Sequence, residues 1–217
     1  MAVLSDADRR AVRKMFENAS RDVRLVRVTS GAGGEDEDAF AAAIREVADE
    51  VSQVQIEVED RRFDEREGLV ERAPGLVLQD GTGRDLGIRF YGTPGGYEFG
   101  ALVTAMADAA SDGSALSQAT RDQLASLQDP VQIMVFSTPT CPYCPRAVRL
   151  AGLMALASEH VQAQALDAMA FPQLANLYQV QGVPRTIFNR KVHVEGAVPE
   201  PVFLERLLAA VHRGASI

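Results

Sequence analysis

At 217 residues, 47% hydrophobic and 24% charged, the chain has enough apolar content to bury a core without staples, in one large or two modest domains. A net charge of −8 and a pI near 5.0 argue against nucleic acid and anionic membrane surfaces as partners, and no apolar run approaches the roughly 18 residues needed to span a bilayer. Two cysteines are too few for a disulfide scaffold, and Met1–Asp8 shows no basic segment followed by an apolar one, so the expected location is cytoplasmic.

In chain order, a Ser5 cap precedes a helical pattern carrying Ala11, Val12, Met15 and Phe16, and Val23–Val28 reads as a strand. Gly31-Ala32-Gly33-Gly34 then gives a turn, and four acids, Glu35 to Asp38, open a helix with Phe40, Ile44, Val47 and Val51. The acids offset the positive end of the helix dipole. They also argue against a phosphate loop, which needs a following Lys-Ser/Thr and no cluster of carboxylates. Strands are expected at Val54–Val58 and after Ala73-Pro74, since a proline holds its predecessor extended. Asp85–Tyr91 is the hairpin partner, Gly92-Thr93-Pro94-Gly95-Gly96 a turn, and Phe99, Leu102, Val103 and Met106 stripe a closing helix. Ser111-Asp112-Gly113-Ser114 is small and polar and marks a boundary.

The chain then repeats itself. Ser117 opens a helix with Leu124 and Leu127 behind it, and Val131–Phe136 is a strand. A helix with Ala147, Val148, Ala151 and Met154 begins after Cys144, and Val161–Leu166 is a second strand. Val183-Pro184 opens a third strand, Lys191–Glu195 pairs with it, and Phe203, Leu204, Leu207, Leu208 and Val211 stripe the last helix. Matching landmarks lie roughly 104–112 residues apart. The expected fold class is α/β in two domains, 1–113 and 114–217, each a mixed β-sheet flanked by helices.

Both cysteines lie in Ser137-Thr138-Pro139-Thr140-Cys141-Pro142-Tyr143-Cys144-Pro145, on the turn from a buried strand into a helix. That setting puts the first sulfur at a helix N-terminus, where free N–H groups and the macrodipole favour thiolate over thiol. A zinc site is a weaker reading, because it needs about four ligands and His160, His193 and His212 are not arranged around the motif. Inert core thiols require neither the intervening proline nor the strand-to-helix setting. Pro142 lacks a donor that the first turn does not use, and so leaves fewer N–H groups facing the sulfur. Tyr143 reads as a partly exposed contact surface. Arg146 and Arg149 read first as a solvated helix face and second as stabilisers of the thiolate; Arg185, beside Pro184, is a candidate for lining the site.

The strand, C-P-Y-C, helix and later Val-Pro hairpin of residues 131–198 resemble a thioredoxin-fold domain. Two such units, with C-P-Y-C in the second only, resemble protein disulfide oxidoreductases of the double-glutaredoxin type. The paired N-terminal modules of the alkyl hydroperoxide reductase flavoprotein subunit are similar. The resemblance implies that Cys141 attacks a substrate disulfide and Cys144 resolves the mixed disulfide. It makes Pro184 the family's cis-proline facing the site, with Val183 offering backbone hydrogen bonds to an extended substrate segment. Pro142, Tyr143, Val183, Pro184 and Arg185 are thus the expected substrate-binding set.

Three departures follow. The first half has glycines and alanine where the second has its cysteines, so it is expected to be redox-inactive. Thr138 stands where glutathione-using members tend to have lysine, and Glu195–Glu200 where they have Gly-Gly-x-x-Asp, so glutathione is expected to be a poor direct substrate. The same gaps disfavour a cluster bridged between two chains through Cys141. Ile133–Phe136 carries no acid where thioredoxins hold a buried aspartate, which leaves the base for Cys144 unassigned. The implied function is a thiol–disulfide oxidoreductase with no cofactor or metal, exchanging disulfides with protein substrates. Its electrons come from a thioredoxin-reductase-like flavoprotein or a small thiol. The alternative is a binding module whose cysteine-free half docks a client or reductase, with redox chemistry secondary.

Overall fold

Fifteen regular elements are distributed over residues 4–29, 34–64, 70–111 and 115–212, the parts of the chain that the computed structural model describes. Gly31–Gly33 of the glycine-rich turn and Asp112–Ser114 of the expected boundary lie outside these described residues. The first half runs α1 (Asp6–Met15), β1 (Val23–Thr29), α2 (Glu35–Glu50), β2 (Ile56–Arg62), β3 (Gly75–Asp80), β4 (Asp85–Tyr91) and α3 (Gly96–Ala110). The second runs α4 (Gln118–Ala125), β5 (Val131–Ser137), α5 (Cys144–Ala157), β6 (Val161–Asp167), α6 (Pro172–Leu177), β7 (Arg185–Phe188), β8 (Val192–Glu195) and α7 (Glu200–His212).

Local chemistry sets these bounds. Ser5 and Asp8 form a capping box on α1, and the Ser117 hydroxyl accepts from the Thr120 N–H at the start of α4, so each half begins with the same device. The strand expected from Val54 begins only at Ile56, because the Gln55 N–H is taken by the Asp22 carboxylate at 2.8 Å. β2 forms one edge of the sheet, and its charged side chains blunt it against further pairing.

The eight strands form one sheet in the order β2-β1-β3-β4-β6-β5-β7-β8. Each half contributes four neighbouring strands, and the halves join where β4 pairs parallel with β6 through Ile88↔Ala163 to Tyr91↔Leu166. Gly87 makes this seam close. Its φ is +74°, and a Cβ there would lie 2.7 Å from the Val161 carbonyl oxygen, so only glycine fits. One face of the sheet carries the main core, which runs through both halves and includes Phe16, Ile44, Leu102, Ile133, Met154 and Phe203. Strand alternation turns Val26, Val77, Phe136 and Ile187 to the other face, beneath α6. On the main face α3 and α5 meet across the seam. Arg149 forms two 2.8 Å bonds to the Asp108 carboxylate there, so its charge spans the halves rather than facing the thiols.

Candidate active site

β5 ends at Ser137, and the chain turns through Pro139 and Thr140, where the Cys141 N–H donates to the Thr138 carbonyl at 3.1 Å. α5 begins at Cys144 with Pro145 in its first turn, a position where the missing N–H costs nothing. Cys141 and Cys144 are joined by a disulfide, with their Cα atoms 5.5 Å apart. The Cys144 N–H donates to Cys141 Sγ at 3.1 Å, a contact that favours negative charge on that sulfur. Cys141 is 7% exposed and Cys144 1%, so the first sulfur is the more accessible, though less open than the sequence suggests. The N-terminus of α3, from the other half, docks on this turn: the Tyr97 N–H donates to the Pro139 carbonyl at 2.9 Å. Gly96 sits at φ +50°, and a Cβ there would lie 2.5 Å from the same oxygen.

Pro142 is exposed and Tyr143 is 64% exposed beside the disulfide. Val183 is half-buried and Pro184 buried, with a cis bond between them, and the Pro184 carbonyl accepts from the Gly196 N–H at 2.8 Å. The first half repeats this arrangement, with a cis Ala73–Pro74 bond and a 3.0 Å bond from the Gly92 N–H to the Pro74 carbonyl. Arg185 follows Pro184 directly and is half-buried, and its guanidinium bonds Glu195 at 2.5 Å across the β7–β8 hairpin. Among the described residues, no three His, Cys, Asp or Glu side chains are grouped as metal ligands, and no helix is long and apolar enough to cross a membrane.

One group was not legible as part of the site. Glu98, on α3, is buried and accepts a 2.5 Å bond from the Ser137 hydroxyl at the end of β5. Burial pushes its carboxyl up to about 7; the Ser137 bond opposes this, and the nearby Asp167 carboxylate adds to it. Glu98, Ser137 and Asp167 line a small cavity together with Cys144 and Pro145. Its volume is about 10 Å³, room for roughly one water. An acid in a first helical turn ordinarily reads as dipole compensation, which hides it. The available signal was its spacing, since Glu98 shares a helix face with Ala101, Leu102 and Ala105, all buried.

Residues 131–209 match the family model described as a thioredoxin domain. Residues 131–209 thus resemble a thioredoxin domain. The alkyl hydroperoxide reductase protein AhpF of Pseudomonas aeruginosa is 27% identical over 150 residues, covering 69% of the chain and 28% of that protein. The Escherichia coli AhpF is 26% identical over 180 residues, covering 83% and 33% respectively. The chain therefore spans only about a third of the length of these relatives. Among solved structures, AhpF of Enterococcus faecalis superposes with a TM-score of 0.83 at 25% identity, covering 94% of this chain and 99% of that one. A protein disulfide oxidoreductase from Aeropyrum pernix gives 0.81 at 28% identity, covering 96% and 94%. These whole-length likenesses make the architecture a tandem of thioredoxin folds. They support thiol–disulfide redox chemistry at Cys141 and Cys144.

Proposed function

We propose that the chain is a thiol–disulfide oxidoreductase acting on protein disulfides, with residues 1–113 a redox-silent domain and 114–217 the redox-active one. The Cys141 thiolate attacks one sulfur of the substrate disulfide, and that S–S bond breaks to leave a thiolate on the substrate. The Cys144 thiolate then attacks Cys141 Sγ and expels the second substrate thiolate. The Cys141–Cys144 bond closes, and two electrons have passed to the substrate. Glu98, sharing the cavity with Cys144, takes the proton that Cys144 must lose. A flavoprotein reductase or a small thiol reduces the pair again, in a cytoplasmic setting.

The observation that carries this reading is the Cys144 N–H aimed at Cys141 Sγ, which supports thiolate on the more accessible sulfur. It is tested with the reduced protein and a disulfide-bonded protein substrate. Cys144→Ser is expected to accumulate a mixed disulfide detectable by intact mass, and Cys141→Ser to be inert. Alkylation at pH 6–7 is expected to label Cys141 first. Preferential labelling of Cys144, or turnover by Cys141→Ser, overturns the assignment.

A further inference from the structure

Where the second half carries its disulfide, the first half carries an open cleft of about 650 Å³, the size of a ligand or peptide-segment pocket. Phe40 and Phe99 form part of its wall and meet edge to face at 6.2 Å, with Pro74 and Pro94 beside them. Its charge has one sign. Asp36 and Asp167 line it, and none of the described lining residues is Lys or Arg.

The cleft adjoins the small cavity beside the disulfide. Pro94 and Asp167 line both this cleft and the small cavity beside Cys144. Tyr97, 51% exposed, follows the cleft residue Gly96 and is bonded through its N–H to Pro139, two residues before Cys141. Met169, 70% exposed, lies in the chain between the cleft residues Asp167 and Ala170. Two large side chains next in sequence to cleft residues are thus left in solvent.

We propose that this cleft holds the segment flanking the reacting cystine of a protein substrate, an extended stretch with apolar residues and at least one Lys or Arg. The inference rests on the disulfide-exchange reading and names what that reaction selects. A partner that brings its sulfur to Cys141 has its neighbouring residues within a few positions of Gly96, which packs on Pro139 at the cleft's edge, since extended chain advances about 3.3 Å per residue. The aromatic wall then buries apolar side chains, and carboxylates in a low-dielectric cleft attract a cation more strongly than they do on open surface. A half without cysteine performs no exchange, and its cleft is free to recognise sequence.

The test uses the reduced full-length Cys144→Ser protein and two peptides of about ten residues. Each carries one cysteine as a mixed disulfide with thionitrobenzoate. The peptides differ only in Lys/Arg or Glu beside that cysteine. Attack by Cys141 releases the coloured thiolate, so the rate is read directly. The basic peptide is expected to react about tenfold faster or more, with the ratio falling toward one as salt rises. Asp36→Lys and Ala39→Trp, which respectively invert the charge and fill the cleft, are expected to collapse the ratio. Reaction with dithiobis(nitrobenzoate) reports whether Cys141 still works in each variant. Equal rates for the two peptides, or a preference unchanged in both reactive variants, overturn the proposal. If neither peptide nor dithiobis(nitrobenzoate) reacts with the parent protein, the disulfide-exchange reading itself fails.

Discussion

The two halves show how one fold divides chemistry from context. Each opens on a serine-capped helix, and each places a cis-proline whose carbonyl accepts from a glycine N–H, Gly92 in one and Gly196 in the other. The second half holds a sulfur pair at the start of α5. The first holds a cleft at the corresponding place, with four acids in the first turn of α2. Yet the first half is not a bystander. It sends Glu98 into the cavity beside Cys144 and docks Tyr97 on the turn that carries Cys141. A half that has no thiol still supplies a titrating group for the half that has two.

Three substitutions test this division, the largest expected effect first. Glu98→Gln removes the proposed proton acceptor of the cysteine-free half, and the closing of the Cys141–Cys144 bond is expected to slow by on the order of 10²-fold. In the native chain that step should quicken as pH rises through about 7, where Glu98 ionises, and the variant should lose this inflection and rise only with the thiolate fraction of Cys144. Stopped-flow measurement of mixed-disulfide decay between pH 5.5 and 8.5 reads both. The same substitution has a stability signature of opposite sense. The folded carboxyl titrates near 7 and the unfolded one near 4.5, so the folded chain binds more protons between these values. Native stability is therefore lost as pH rises through that window. Glu98→Gln should match the native chain below pH 4 and exceed it by up to about 2–3 kcal/mol above pH 7.5, by urea denaturation.

Gly87→Ala attacks the seam itself. It places a methyl against the Val161 carbonyl in a left-handed backbone position, and a loss of about 2–3 kcal/mol is expected in the same denaturation assay. If the variant is as stable as the parent, β4 and β6 are not joined as described. The smallest effect belongs to the seam's surface. Arg149→Ala breaks an ion pair with an exposed arginine, and about 0.5–1 kcal/mol should be lost, less at high salt. Reaction of Cys141 should not change, because Arg149 is bound to Asp108 rather than turned to the sulfur.

Much of the molecule was legible before any coordinates. The Ser5 cap, the apolar strand runs, the helical stripes and the strand-to-helix setting of Cys141 and Cys144 act on neighbours within a few residues, so the pattern itself locates helices, strands and the disulfide turn. The internal repeat and the C-P-Y-C motif then point to a tandem of thioredoxin folds with one redox pair. The edges of elements were less legible where a distant side chain intervenes, as Asp22 does at Gln55.

What the tertiary structure alone decided lies across the seam. β4 and β6 present complementary unpaired edges, and nothing in either strand's periodicity says that they find each other rather than water. Once they pair, Ser137 meets Glu98 from 39 positions away, and Arg149 meets Asp108 from 41. Arg185 likewise turns to Glu195 because β7 and β8 lie in that register. Local propensity reaches about one helical turn along the chain. Glu98, which we propose as the base for Cys144, comes from the other half, so only long-range strand pairing could bring it to the cavity beside the sulfur.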